Sequence, residues 1–369
     1  MSPDVYLRPT GIVSGAAAGR AVAEGVARWL AGGPLAFTAA ALIRRREDGG
    51  RDVTTLGIHE LQSCRSRGAD AGESAAIERR LDSIAKRREA IAGVSLDRPR
   101  IMGVVNVTPD SFSDGGSFLD SRAAIAHGES LLKAGADILD VGGESTRPGA
   151  APVPIEEELN RVLPVISALA NGGAVISIDT RHAAVMRRAV DAGARIINDV
   201  TALSGDPQSL AAAADSGAAV ALMHMQGEPR TMQQDPQYRD APLDVYDFFA
   251  GRLAACEAAG IPRERILIDP GIGFGKKDPH NLALLADLAL LHGLGCGLLL
   301  GVSRKSFIGR LSRGEDAAHR LPGTLAATLA GLDRGAQVHR LHDVAEAAQA
   351  LALWRAISDG ADDGTAAAT

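Results

Sequence analysis

An alternation repeated eight times after residue 100 limits this 369-residue chain more than any other feature. A short apolar run ends in a polar or glycine-rich loop, and an alanine-rich amphipathic stretch follows. The runs lie at 101–105, 138–141, 175–179, 196–199, 219–223, 266–269, 298–302 and 337–340. The amphipathic stretches lie near 120–134, 155–170, 181–192, 206–215, 242–259, 278–290, 319–334 and 343–357. Short unbroken apolar runs read as strands buried on both faces, the habit of parallel sheets covered by helices. Strands alternating with helices form βαβ units. Eight units within about 260 residues match the size of a (β/α)8 barrel. An open, doubly wound sheet rarely needs eight similar units. The expected fold is therefore α/β: a (β/α)8 TIM barrel over 99–358, preceded by a small α/β extension over 1–98, with a flexible C-terminal tail over 359–369.

Composition supports this and removes other classes. The chain is 46% hydrophobic but only 3% aromatic, so its apolar mass is aliphatic, as a helix-covered sheet requires. A net charge of -6 offers no broad basic surface, and nucleic acid is not an expected partner. Cys64, Cys256 and Cys296 form no CxxC pair, which fits a reducing compartment, and a cytoplasmic location is expected. Ser2, Pro3 and Asp4 do not open a signal peptide, and the apolar stretches break well short of a membrane span.

The first 98 residues do not share the rhythm. Strand-like pieces lie at 35–38 and 53–58, and a Gly/Ala-rich helix candidate lies around 19–31. A better helix covers 74–92, with Ile77, Leu81, Ile84 and Ile91 at helical spacing, Ser74 as cap and Gly93 as stop. Its other face, Arg79, Arg80, Lys86, Arg87 and Arg88, reads as solvated. Residues 62–73 read as a loop.

In a barrel, the loops after the strands gather on one face and carry the active site. Asn106, Gly142, Asp179, Asn198, Asp269, Ser303 and His342 all follow strands. The opposite loops, 133–137 and 191–195, repeat an Ala-Gly-Ala turn with a structural reading. The loop after the first strand, 106–116, is long, polar and Gly-terminated, with Phe112 as its one aromatic. Such a loop can close over a substrate.

The run from Met102 to Gly116, MGVVNVTPDSFSDGG, resembles the first signature of the dihydropteroate synthase family, and Asp140 to Gly149, DVGGESTRPG, resembles the second. Shorter matches follow in order at Asp179, Asn198, Met223-His224, Asp269 to Lys276, Ser303 to Ser306 and His339 to Asp343. The resemblance covers roughly 100–357. It implies a transferase that condenses 6-hydroxymethyl-7,8-dihydropterin diphosphate with p-aminobenzoate in folate biosynthesis, is inhibited by sulfonamides, uses Mg²⁺ and forms a homodimer.

The residues fit those roles. A carboxylate can accept from the pterin ring N–H and amino group together, and Asp269 is the best candidate. Asp179 and Asn198 complete the polar edge, Lys305 donates to the pterin carbonyl, and Met223 packs on the ring. Asp179 alone would more often read as a helix N-cap, and Met223 alone as core. For the diphosphate, the resemblance implies Asn106, Thr146, Arg147, Arg340 and His342, with Asn106 also contacting the metal. Phe112, Thr146, Pro148, Phe274 and Ser306 resemble the surroundings of p-aminobenzoate. Catalysis is expected from Asp179, Lys305, Arg147, Arg340 and His342. No His, Cys or carboxylate cluster suggests zinc, and His339 with His342 is a weak metal pair. Gly271 to Lys276 is no Walker loop, since GK[ST] is missing. A methyltetrahydrofolate-binding methyltransferase would share Asp179, Asn198 and Asp269 without needing a diphosphate cluster, and a non-catalytic pterin-binding protein is a second alternative.

Overall fold

The computed structural model describes residues 5–63, 71–107, 117–145, 152–227 and 231–360. Eight parallel strands close into a barrel: β5 (Arg100–Asn106), β6 (Ile138–Gly142), β7 (Ile176–Asp179), β8 (Ile196–Asp199), β9 (Ala219–Met223), β10 (Ile266–Asp269), β11 (Gly297–Leu300) and β12 (Val338–Leu341). β12 pairs with β5 to close the ring. Each strand lies within two residues of its expected ends. The outer helices are α4 (Ser117–Lys133), α5 (Ile155–Asn171), α6 (Ala183–Asp191), α7 (Ser209–Ser216), α8 (Ala241–Ala258), α9 (Asp278–Ala286), α11 (Leu321–Leu332) and α12 (Val344–Asp359). A short helix, α10 (Ser306–Leu311), was not expected.

The strand period of two explains the unbroken apolar runs. Ile101, Val105, Leu139, Val141, Ile176, Ile178, Ile266 and Ile268 join the core shared with the helices. Met102, Ile138, Ile196, Leu267, Leu299 and Val338 fill the barrel interior and meet Ile91 and Leu96, which plug its lower end. Gly135 and Gly193 hold φ of +108° and +112° in the two Ala-Gly-Ala turns, a conformation that favours glycine.

The extension is an antiparallel sheet of β1 (Val5–Ser14), β2 (Arg28–Trp29), β3 (Leu35–Arg45) and β4 (Arg51–Gly57), with α1 (Gly15–Ala23), α2 (Ile58–Gln62) and α3 (Ala71–Ala85). β1 escaped the sequence reading because Pro9 and Gly11 interrupt it; an edge strand tolerates both. The first helix starts earlier than 19 and stops near Gly25, whose φ is +75°. The helix expected over 74–92 ends at Ala85, and Ser74 lies inside it rather than capping it. The reason is a competing backbone pairing, in which Ala31 N–H donates to the Ile84 carbonyl at 2.8 Å and Arg88 N–H to the Ala31 carbonyl at 3.2 Å. Gly93 instead turns the chain between bridged Ile91 and Val94.

The basic face of α3 and its continuation is not simply solvated. Arg88 is only 6% exposed, and its guanidinium donates to the carbonyls of Ser83, Lys86, His292 and Cys296. Arg80 donates to the Tyr246 hydroxyl, and Lys86 pairs with Glu264. One face of the sheet packs Val5, Leu7, Phe37 and Leu42 on Ile77, Leu81 and Ile84 of α3. Tyr6, Ala41 and Ile43 on the other face are continuous with the barrel core. Around them Arg45 pairs with Asp244 and Asp247, Arg51 with Asp240 and Asp287, and Arg8 with Asp287.

Candidate active site

The strand ends bring the polar residues to one mouth. Gly142, Asp179 and Asn198 are successive register partners across β6, β7 and β8, and Met223 pairs with Asp269 across β9 and β10. Asp179, Asn198, Met223 and Asp269 are all buried. Arg340 of β12 spans the barrel: its Nη2 donates to Asp179 Oδ2 at 2.8 Å and its Nε to Asp140 Oδ2 at 2.6 Å. Asn198 Nδ2 donates to the same Asp140 oxygen at 3.1 Å. Asp179 is thus an ion-pair partner and not a helix cap; His182 precedes α6 in that place.

Electrostatics follow from this crowding. Burial raises the Asp179 carboxyl to about 7; Arg340 opposes that rise, and Asp140 adds to it. Burial also raises Asp269, against the Gly271 N–H that donates to it at 2.8 Å and the nearby Lys305. Lys305 is lowered to about 8 by burial; Asp269 opposes the shift and Arg340 reinforces it. Its ammonium sits 3.9 Å from the centre of the Phe274 ring, a cation–π contact.

The glycine-rich loop that carries Phe274 lies tight against the end of β9. Gly271 has φ +66°, and a Cβ there would fall 2.0 Å from the His224 carbonyl oxygen. Lys276, 1% exposed, holds the loop through the His224 and Phe274 carbonyls at 3.0 and 2.9 Å and through His224 Nδ1 at 2.9 Å. Sequence reasoning gave Lys276 no role; its place next to the glycines was the available signal.

Just after β12, His342 makes two contacts with Ser303 Oγ, from its backbone N–H at 3.1 Å and at Nδ1 at 2.9 Å. Arg304 has φ +57°, a strained conformation for a side-chain-bearing residue, and forms an ion pair with Asp343. That kink separates Ser303, turned to His342, from Lys305, turned to Phe274. Ser306 opens α10 and is exposed, and its Oγ accepts from Arg310 Nη1 at 2.9 Å. Asn106, at the end of β5, is half-buried. Phe112, Thr146, Arg147 and Pro148 lie outside the described residues.

Asp140 is the main residue that sequence reasoning missed. It stood inside a recognised motif, but its inward direction at mid-strand shows only in the closed barrel. Folding also gathers Glu144, Glu158 and His182 so that one ligand atom from each lies within 4.8 Å of the others, a cluster that linear spacing did not reveal. Arg181 engages Glu144, and His182 Nδ1 lies 2.8 Å from Glu158 Oε2, so the cluster is an ion-pair network. His339 points away from the mouth, fully buried against the Ala336 carbonyl, so it does not pair with His342.

A family profile described as "Pterin binding enzyme" matches residues 102–342. The chain is 49% identical over 267 residues to a dihydropteroate synthase of Escherichia coli (strain K12), covering 72% of this chain and 94% of that protein. It is similar to the Xanthomonas albilineans dihydropteroate synthase solved with 4-aminobenzoic acid, with a TM-score of 0.70 and 49% identity over 74% of this chain and 99% of that one. The same enzyme in complex with 7,8-dihydropteroate matches with a TM-score of 0.66 and 47% identity, covering 73% and 97%. With the barrel, its polar mouth and these relatives together, the chain belongs to the pterin binding enzyme family, among its dihydropteroate synthases.

Proposed function

We propose that the protein condenses 6-hydroxymethyl-7,8-dihydropterin diphosphate with p-aminobenzoate to give 7,8-dihydropteroate and diphosphate. The observation that carries this reading is the barrel mouth itself, where buried Asp179, Asn198 and Asp269 stand beside Arg340 and Lys305. Asp269 accepts from the pterin's pyrimidine edge, Asn198 and Asp179 complete that edge, Met223 packs on the ring, and Lys305 donates to the carbonyl. Arg340 and His342, with Arg147 and Thr146, hold the diphosphate. Phe274 and Phe112 wall the aminobenzoate ring with Pro148, while Ser306 receives its carboxylate.

In the reaction the methylene carbon–oxygen bond breaks and diphosphate leaves with the electron pair. The aniline nitrogen lone pair then forms the carbon–nitrogen bond, and its proton passes to solvent. Arg340 and His342 stabilise charge on the leaving group, and Asp179 faces the cationic methylene. Asn106, half-buried at the end of β5, would hold Mg²⁺ through its neutral amide oxygen, a hard donor of the kind that ion prefers. When bound, Mg²⁺ would add charge neutralisation for the leaving diphosphate. The methyltransferase alternative would give no work to the Arg340–His342 side of the mouth.

The same reading includes a cytoplasmic homodimer. Among the described residues no helix is long and apolar enough to cross a membrane. Leu353 and Ile357, 61% and 71% exposed, lie one turn apart on α12 and suit burial against a second copy.

The test is diphosphate release from the pterin diphosphate, with and without p-aminobenzoate and Mg²⁺. Release coupled to dihydropteroate and dependent on both additions is expected. Pterin binding without product would shift the reading to a methyltransferase or a non-catalytic binder.

A further inference from the structure

Asp140 lies one inward position above Ile138 on β6, so it projects into the barrel between the apolar floor and the mouth. It is 0% exposed. One oxygen, Oδ2, accepts from both Arg340 Nε and Asn198 Nδ2, while Oδ1 has no hydrogen-bond partner among the described residues. Ser177, its register partner on β7, is equally buried, and its Oγ also lacks a partner among the described residues. A carboxylate buried this deeply costs several kcal/mol unless it is paired, so a fold does not keep one at mid-strand for packing alone. Here its two contacts are to the side chains that the proposed function gives opposite tasks, Asn198 at the pterin edge and Arg340 at the diphosphate.

We propose that Asp140 is a positioning residue of the reaction, one buried carboxylate that orients the Asn198 amide and the Arg340 guanidinium together. The proposal rests on the synthase reading of the mouth. By holding Asn198 Nδ2, Asp140 leaves the amide oxygen for the ligand; a side chain free to flip would present either end. By holding Arg340 Nε, it fixes the plane of the guanidinium and leaves Nη2 on Asp179. When diphosphate draws on Arg340, Asp140 keeps the guanidinium anchored at its inner edge, so the arginine needs no new position. The pterin half and the anion half of the mouth are thereby coupled through a residue that touches neither substrate.

The test uses Asp140→Asn in the full chain, with four readouts. Binding of 6-hydroxymethylpterin alone and of inorganic diphosphate should each weaken on the order of 10- to 100-fold, the range for hydrogen bonds to charged groups. The KM for p-aminobenzoate should stay within about threefold and the melting temperature within a few degrees, since Arg340 keeps Asp179 as a buried counter-ion when the Asp140 charge is removed. The fourth readout is the acid limb of pterin binding. Asp179 is faced by Arg340 of β12, Asp140 of β6, Glu158 of α5 and Asp199 of β8. Removing the Asp140 charge eases ionisation of Asp179, so that limb should move to lower pH. Unchanged binding of both ligands with an unmoved limb would overturn the proposal. So would an equal loss for p-aminobenzoate together with a lowered melting temperature, which would mark Asp140 as structural. Because binding is read apart from turnover, a wild type that binds both ligands without product would count against the synthase reading and still decide Asp140.

Discussion

The two ends of the barrel are built on opposite rules. At the lower end, Ile91 and Leu96 close against Met102, Ile138, Ile196, Leu267, Leu299 and Val338, and Arg88 beside them has its donors on backbone carbonyls. At the upper end, Asp140, Asp179 and Asp269 stand buried beside Arg340 and Lys305, with one Asp140 oxygen unmatched among the described residues and a strained Arg304. The difference separates stability from function: apolar burial contributes about 1.5–3 kcal/mol per large side chain, whereas buried charge costs stability unless it is paired. Substitutions at the mouth should therefore cost activity, and substitutions at the floor should cost stability.

The sharpest break is Asp269→Asn. It removes the carboxylate assigned to the pterin edge, and kcat/KM for the pterin diphosphate should fall by about 10³-fold or more. The melting temperature should hold or rise, because a buried charge is gone. A large loss of stability with little loss of turnover would reverse the roles of the two ends. Next is the floor. Leu96→Ala should destabilise by about 2–5 kcal/mol through the cavity it leaves. Arg88→Met, which strands several carbonyls, should cost about 2–4 kcal/mol. Both should leave kcat at low temperature within about twofold, as denaturant titration and steady-state kinetics on the same samples can check.

Two smaller effects come from pH. Lys305 stands at about 8, so the ammonium proposed to donate to pterin is lost above that pH. The value of kcat/KM for the pterin diphosphate should decline as pH rises through 8, and Lys305→Arg should move the decline to higher pH. A flat profile to pH 10 would remove Lys305 as donor. Asp179 is raised from 3.8 to about 7, so the folded state holds a proton that the unfolded state releases in that window. Its contribution is full below 3.8 and is lost as pH rises through 7. Asp179→Asn should flatten the fall in melting temperature between those limits, a modest change readable by calorimetry.

The extension shows where sequence reading ran short. Its helix was visible from Ile77, Leu81 and Ile84, but the end of that helix was set by Ala31, which pairs with Ile84 and Arg88 from a distant segment. The arginines of the same stretch look like a solvated face until the barrel carbonyls and Tyr246 are brought to them.

The eight runs determined the barrel by themselves, because a two-sided buried strand leaves an unbroken apolar signature that polar neighbours cannot imitate. The positions of Asp179, Asn198 and Asp269 at strand ends were likewise written in local order, and the motifs named their family. Only closure of the ring could show that Arg340 reaches Asp140, 200 residues away, and that Asn198 meets the same oxygen. Charge pairing depends on distance through space, and sequence spacing carries that information only within one helix or strand. The bolting of the extension to α8 through Arg45 and Arg51 was settled the same way, by which surfaces the tertiary fold left facing each other.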